Sequence, residues 1–153
     1  MRSFSLVALL TLALAAAVPL AAGQAADPGD TTDPGIVDGS KQRRLDSARK
    51  AWKATAASSY SYVIRLSCFC PEQPHLKMVV RGGRRAAGTP KGMLDVATVP
   101  RLFLKIQAAI DDKVAGIDVT YSRRGVPLSL AIDVDARIAD EESYYTITRF
   151  TVL

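Results

Sequence analysis

Histidine occurs once in the 153 residues and cysteine twice. With one imidazole, His75, and no Gly-x-Ser-x-Gly elbow, no serine–histidine hydrolase machinery can be read from the chain. Two thiols and that imidazole fall short of the four ligands of a closed zinc site. Glycine-rich phosphate loops are missing as well, since Arg81-Gly82-Gly83-Arg84 reads as a hairpin turn, and no cofactor motif stands elsewhere. No spacing argues for a glycosidase-type carboxylate pair. Long apolar runs are confined to the first two dozen residues.

Those residues have an order of their own. Met1-Arg2-Ser3 places one positive charge before a run from Phe4 to Ala17 broken only by Ser5 and Thr11, and small residues follow to Ala26. This is the pattern of a cleavable secretion signal over residues 1–25. The run falls short of the roughly 20 apolar residues of a spanning helix, and no basic stop-transfer flank follows, so no membrane span is expected after cleavage. Leu20-Ala21-Ala22-Gly23 would precede the modified cysteine of a lipoprotein, but position 24 is Gln, which excludes a lipid anchor there. The expected location is outside the cytoplasm, periplasmic or secreted.

About 130 residues remain, the size of one domain with a real core. The net charge of +5 is a mild excess, more in keeping with solubility than with a nucleic-acid footprint, and nucleic acid is not an expected partner. Anionic envelope polymers fit a basic patch better. Residues 26–40 contain Asp-Pro-Gly twice in all with its flanks and read as a flexible leader, in which almost nothing can be buried.

From residue 41 the periodicities predict one α+β domain to residue 153. Asp38 or Ser40 caps a helix to about Ala57, with Leu45, Ala48, Trp52 and Thr55 at helical spacing. Strands follow at Tyr60–Cys68, Leu76–Arg81 and, after the Gly82-Gly83 turn, Arg84–Ala87. Thr98 caps a second helix with Leu102, Phe103, Ile106 and Ile110 as its apolar stripe, ending at the two aspartates 111 and 112. Ile117–Tyr121 and Val126–Val134 form a hairpin in which Tyr121 faces Val126 and Leu128 lies on the buried side. The last strand, Tyr144–Val152, needs cover on both faces or a bulge near Thr148-Arg149 to place its apolar residues. The fold class is two helices packed on one antiparallel sheet of five to six strands, in the order α-β-β-(β)-α-β-β-β.

Two constellations bear on chemistry. Cys68-Phe69-Cys70-Pro71 holds both thiols, and in an exported chain a disulfide is the default. Two residues apart in an ideal strand, the Cα atoms stand about 6.6 to 6.8 Å apart, so the bond demands a bend. An exchangeable redox pair, an intermolecular bridge, inert thiols, or a Cu or Zn site of Cys68, Cys70 and His75 are the other readings. The second constellation places Asp133, Asp135, Asp140, Glu141 and Glu142 at one hairpin corner. Five carboxylates suit Ca²⁺, although the corner lacks the glycine of recognised calcium loops and Arg137 neutralises part of it.

Four segments together resemble a bacterial family of exported proteins and lipoproteins known as domain of unknown function 6174. They are Tyr60-Ser61-Tyr62 leading into Cys68-Phe69-Cys70-Pro71, Leu102-Phe103, Gly125-Val126-Pro127, and the run from Ile132 to Glu142. The resemblance spans about Leu45 to Phe150. It departs at Gly82-Gly83, where the family often has Asp-Gly, at Ser122, where it has aspartate, and at Gln24, where many relatives carry the lipid-bearing cysteine. It implies no activity.

The sequence thus points to a non-enzymatic exported domain of the cell envelope that binds an envelope or extracellular partner and needs no cofactor. Thiol-redox or soft-metal handling through the Cys-x-Cys motif is the alternative.

Overall fold

The computed structural model describes residues 31–71, 74–86, 89–138 and 140–153. The expected signal sequence, Gln24 and the first part of the leader lie outside the described residues, as does Ala87.

Six strands form one antiparallel sheet: β1 (Tyr60–Ser67), β2 (Leu76–Arg81), β3 (Arg84–Arg85), β4 (Gly116–Tyr121), β5 (Pro127–Asp133) and β6 (Ser143–Val152), in the spatial order β3-β2-β1-β6-β5-β4. The helices are a single turn α1 (Pro34–Val37), α2 (Ser40–Ala54) and α3 (Val99–Asp111), the last preceded by a 3-10 segment at Lys91–Val96. The α+β class expected from the periodicities is the one found.

Period-two alternation sends Tyr60, Tyr62 and Ile64 of β1, Met78 and Val80 of β2, Ile117 and Val119 of β4, Leu130 and Ile132 of β5, and Tyr145 and Ile147 of β6 into one core. The stripes of Leu45 and Ala48 on α2 and of Leu102, Phe103, Ile106 and Ile110 on α3 close over it. Thr98 caps α3 as its position predicts, accepting the Arg101 N–H at 3.2 Å. At α2 the cap residue is Gly39, but Asp38 accepts the Ser40 N–H at 2.7 Å.

Of the two ways to place its apolar residues, the last strand takes the bulge. Ser61 pairs with Thr151 and Val63 with Thr148, so one extra residue stands opposite Tyr62, and Arg149 takes a φ of 52°. Phe150 then turns back to meet Trp52 and Tyr60, its ring 5.9 and 5.5 Å from theirs.

Two expectations need correction. In the β4–β5 hairpin Ile117, Val119, Leu130 and Ile132 share the buried face as expected, but the register differs: Ile117 faces Ile132, Val119 faces Leu130, and Tyr121 pairs with Pro127 rather than Val126. Proline has no N–H for the ladder, the register slips by one residue, and Leu128 turns outward to 38 % exposure instead of lying on the buried side. The leader also ends earlier than expected. Asp33 is 8 % exposed, caps α1 through the Gly35 N–H at 2.7 Å, and receives the Ile117 N–H at 2.9 Å. Residues 33–40 are therefore docked on the domain, because an aspartate followed by proline starts a helix and its second oxygen reaches an edge strand.

Candidate functional site

β1 runs toward Ser67 and β6 away from Tyr144, and these two residues are partners; Ile132 near the end of β5 pairs with Ser143. The register therefore brings the Cys68–Cys70 turn and the 134–142 loop to the same end of the sheet. The start of β4 is there too, since Gly116 faces Asp133. Two motifs more than 60 residues apart in sequence thus share one rim.

At that rim Cys68 and Cys70 are joined in a disulfide with their Cα atoms 5.1 Å apart. The strand has ended at Ser67, which supplies the bend that the spacing demands. Phe69 between them is 82 % exposed. An aromatic ring so placed is held out in water by a short covalent ring rather than hidden by its neighbours. Val134, Ile138 and Tyr144 at the same end are also about half exposed, at 55 %, 47 % and 50 %.

Beside Tyr144 an open hollow of about 290 Å³ is bordered by Asp118, Asp133, Glu142 and Lys41. Gly116 contributes no side chain to its floor, and a Cβ there would meet that of Asp133 at 3.4 Å. Lys41 reaches over the β4 edge to Asp33 at 3.5 Å and Asp118 at 4.0 Å, and donates to the carbonyl of Ile117. Asp133 Oδ1 is enclosed without a hydrogen-bond partner. Sequence reading missed the part played by Asp33 and Lys41 here, although Asp33-Pro34 is a legible helix start.

The metal candidates are not assembled. Among the described residues no group of three or more His, Cys, Asp or Glu side chains is placed to hold a metal ion. Cys68 and Cys70 are bonded to each other, and His75 is an exposed residue before β2. Of the five acidic residues, Asp133 and Glu142 line the hollow, while Asp140 and Glu141 point into solvent. Asp135 does not continue the face of Asp133, because β5 stops at Asp133. Its two oxygens take Arg137 Nε at 2.9 Å and Nη2 at 2.8 Å. That paired guanidinium, with the Arg137 backbone N–H, holds the Asp135 carboxyl down at about 2.

The other segments that carry the resemblance have packing roles. The Tyr62 hydroxyl donates to the Val96 carbonyl at 2.5 Å, and that of Tyr60 accepts the Val99 N–H at 3.0 Å, so both tie the start of α3 to β1. Gly125 sits against α2 so closely that a Cβ would stand 2.0 Å from the Ala48 carbonyl oxygen. Residues 44–152 match a family of unknown function, DUF6174. The chain belongs to that family. No curated protein and no solved structure matches it. With the tyrosines, the glycine and Leu102-Phe103 of this DUF6174 domain absorbed by its core, the Cys-Phe-Cys turn and the acidic loop are the segments left facing solvent. Among the described residues no helix is long and apolar enough to cross a membrane.

Proposed function

We propose that this DUF6174 domain is a non-enzymatic binding domain, exported to the periplasm or beyond, that engages an envelope or extracellular partner through the sheet end bearing Phe69. The observation that carries the reading is the 82 % exposure of Phe69 between two bonded cysteines. A large aromatic side chain on a backbone restrained by a covalent ring loses less entropy on docking, and such residues dominate binding energy at interfaces. Asp140 and Glu141 are exposed on the loop at the same end of the sheet and give that end negative charge, so the complementary partner surface has an apolar pocket with basic groups near it. The apolar N-terminal run, with Gln24 in place of a lipid-bearing cysteine, supports export as a released protein.

A photoreactive residue at Phe69 in the full chain, activated in the native host, tests this. One discrete adduct is expected from position 69 and none from Leu104, which is 64 % exposed on α3. Reversing the charges of Glu141 and Glu142 weakens the adduct. Equal labelling from both positions would sink the idea.

The exposure of Cys70 favours a second reading, thiol–disulfide exchange, because a partner thiolate can reach it. Mass spectrometry of the protein from its native compartment separates the two. Mixed disulfides on Cys68 or Cys70 support exchange, while a fully oxidised local pair that resists glutathione supports a structural staple.

A further inference from the structure

At the end of the sheet opposite Phe69 the charge changes sign. Residues 74–101 contain six Lys or Arg and a single acidic residue, Asp95, which is occupied by Lys105 at 2.6 Å. The β2–β3 hairpin and the start of α3 meet there around an open hollow of about 550 Å³, lined by Gly83, Arg84, Arg85, Thr98 and Arg101. All three arginines are exposed. Their guanidinium groups form no hydrogen bond or ion pair with a described residue, whereas Arg43, Arg44 and Arg49 on α2 are all engaged by carbonyl or side-chain oxygens.

Three like charges converge on this concavity at a cost in mutual repulsion, and no carboxylate in the described fold offsets it. The first turn of α3 adds positive potential from the helix dipole. It adds no free donor: the Val99 N–H goes to Tyr60, the Arg101 N–H to the Thr98 side chain, the Leu102 N–H to the Thr98 carbonyl, and residue 100 is proline. Whatever is held here is held by side chains. A planar guanidinium presents paired N–H groups at the spacing of two oxygens on one phosphate, and a small carboxylate cannot satisfy three such forks together.

We propose that the Arg84–Arg85–Arg101 hollow is a binding site for phosphate groups, as phosphate esters or condensed phosphate. It lies at the far end of the sheet from Phe69 and stands or falls independently of the reading given there.

The test titrates the full chain with inorganic phosphate, with short-chain polyphosphate, and with vesicles of phosphatidylglycerol in phosphatidylcholine, by calorimetry or co-sedimentation. Saturable binding to at least one probe is expected, weakened about tenfold or more by Arg84→Gln with Arg101→Gln. The same charge change at Arg123→Gln with Arg124→Gln, on the β4–β5 hairpin at the other edge of the sheet, alters it less than about twofold. Arg84→Lys with Arg101→Lys keeps the charge but not the fork and recovers only part of the affinity. Binding to phosphate or polyphosphate alone assigns a soluble or polymeric source, and binding to vesicles alone assigns a lipid headgroup. No saturable binding to any probe, or equal loss in the two Gln pairs, overturns the proposal. All these side chains are exposed, so unchanged melting temperatures keep the comparison valid.

Discussion

The Asp33 carboxylate accepts the backbone N–H of Ile117 at 2.9 Å, across 84 residues of sequence. Ile117 lies on β4, one edge of the sheet, where unpaired backbone groups invite the strands of other molecules. Lys41 takes the carbonyl of the same residue and Arg44 takes that of Val119 at 2.9 Å, so the 33–44 segment satisfies the edge with side chains where a seventh strand would satisfy it with backbone.

Asp33→Ala is expected to lower the unfolding free energy by about 1.5–3 kcal/mol, the range for hydrogen bonds to a charged group. Burial alone raises the pKa of this carboxyl, but the Ile117 and Gly35 N–H bonds and the Lys41 charge outweigh it, and the net displacement is downward. A carboxyl whose pKa is depressed on folding stabilises the native state above its unfolded value, near 4, and loses that contribution as the pH falls through its folded value. Asp33→Asn keeps an acceptor for Ile117 but has no charge to lose. Urea midpoints at pH 7 and pH 3 should therefore differ less for Asp33→Asn than for the natural protein. An identical pH difference would contradict the assignment.

Gly125 and Gly83 both have positive φ, 77° and 76°, yet substitution should separate them. Alanine at 83 meets nothing within 4 Å and carries only the left-handed backbone cost of about 1–2 kcal/mol. Alanine at 125 adds a Cβ 2.0 Å from the Ala48 oxygen and 2.8 Å from the Trp52 nitrogen, which forces the hairpin off α2. Overpacking of this kind adds about 1–3 kcal/mol or more, so the total is about 2–5 kcal/mol or above. Equal destabilisation of the two variants in thermal unfolding would refute the close approach.

The contrast between these glycines marks what the sequence could and could not convey. Gly125 stands in the short loop between two alternating strands, where a left-handed glycine is legible, but its contact with Ala48 joins residues 77 positions apart and leaves no trace in local pattern. The same holds for Asp33: the cap is legible in Asp-Pro-Gly, its bond to Ile117 is not. Leu128 misled because alternation assumes an unbroken ladder, and Pro127 breaks it. At the rim, both motifs stood out by composition. Only the pairing of Ser67 with Tyr144 puts them together, and their carboxylates, lacking periodicity, carried no information on which would be engaged by Arg137 and which left facing the hollow.

Replacing Cys68 and Cys70 by serine should affect stability and docking unequally. A ring closed over so few residues removes little unfolded-state entropy, about 1.5 kcal/mol by the loop-closure relation. Loss of the staple frees the backbone at residue 69, and the ordering cost returns at binding. The expected result is a fall in unfolding free energy of no more than about 1.5 kcal/mol together with loss of the Phe69 adduct. A variant that is fully folded and cross-links as strongly as the natural protein would remove the cysteines from the binding reading.

Tyr62→Phe isolates one buried hydrogen bond. The hydroxyl meets the Val96 carbonyl at 2.5 Å where both residues are almost wholly enclosed, so deleting it leaves an acceptor without water or protein partner. The penalty should be about 1–3 kcal/mol, against less than about 0.5 kcal/mol for Tyr144→Phe, whose ring is half exposed. Tyr60→Phe removes the acceptor of the Val99 N–H on the same segment. Once either tyrosine is changed, the 91–99 segment is already loosened, and the second change should cost less than it does alone. Amide exchange gives the local readout: protection of the Val99 N–H falls in Tyr60→Phe more than global stability does. Strict additivity in the double variant, with uniform loss of protection through the core, would mean that the two hydroxyls anchor no common element.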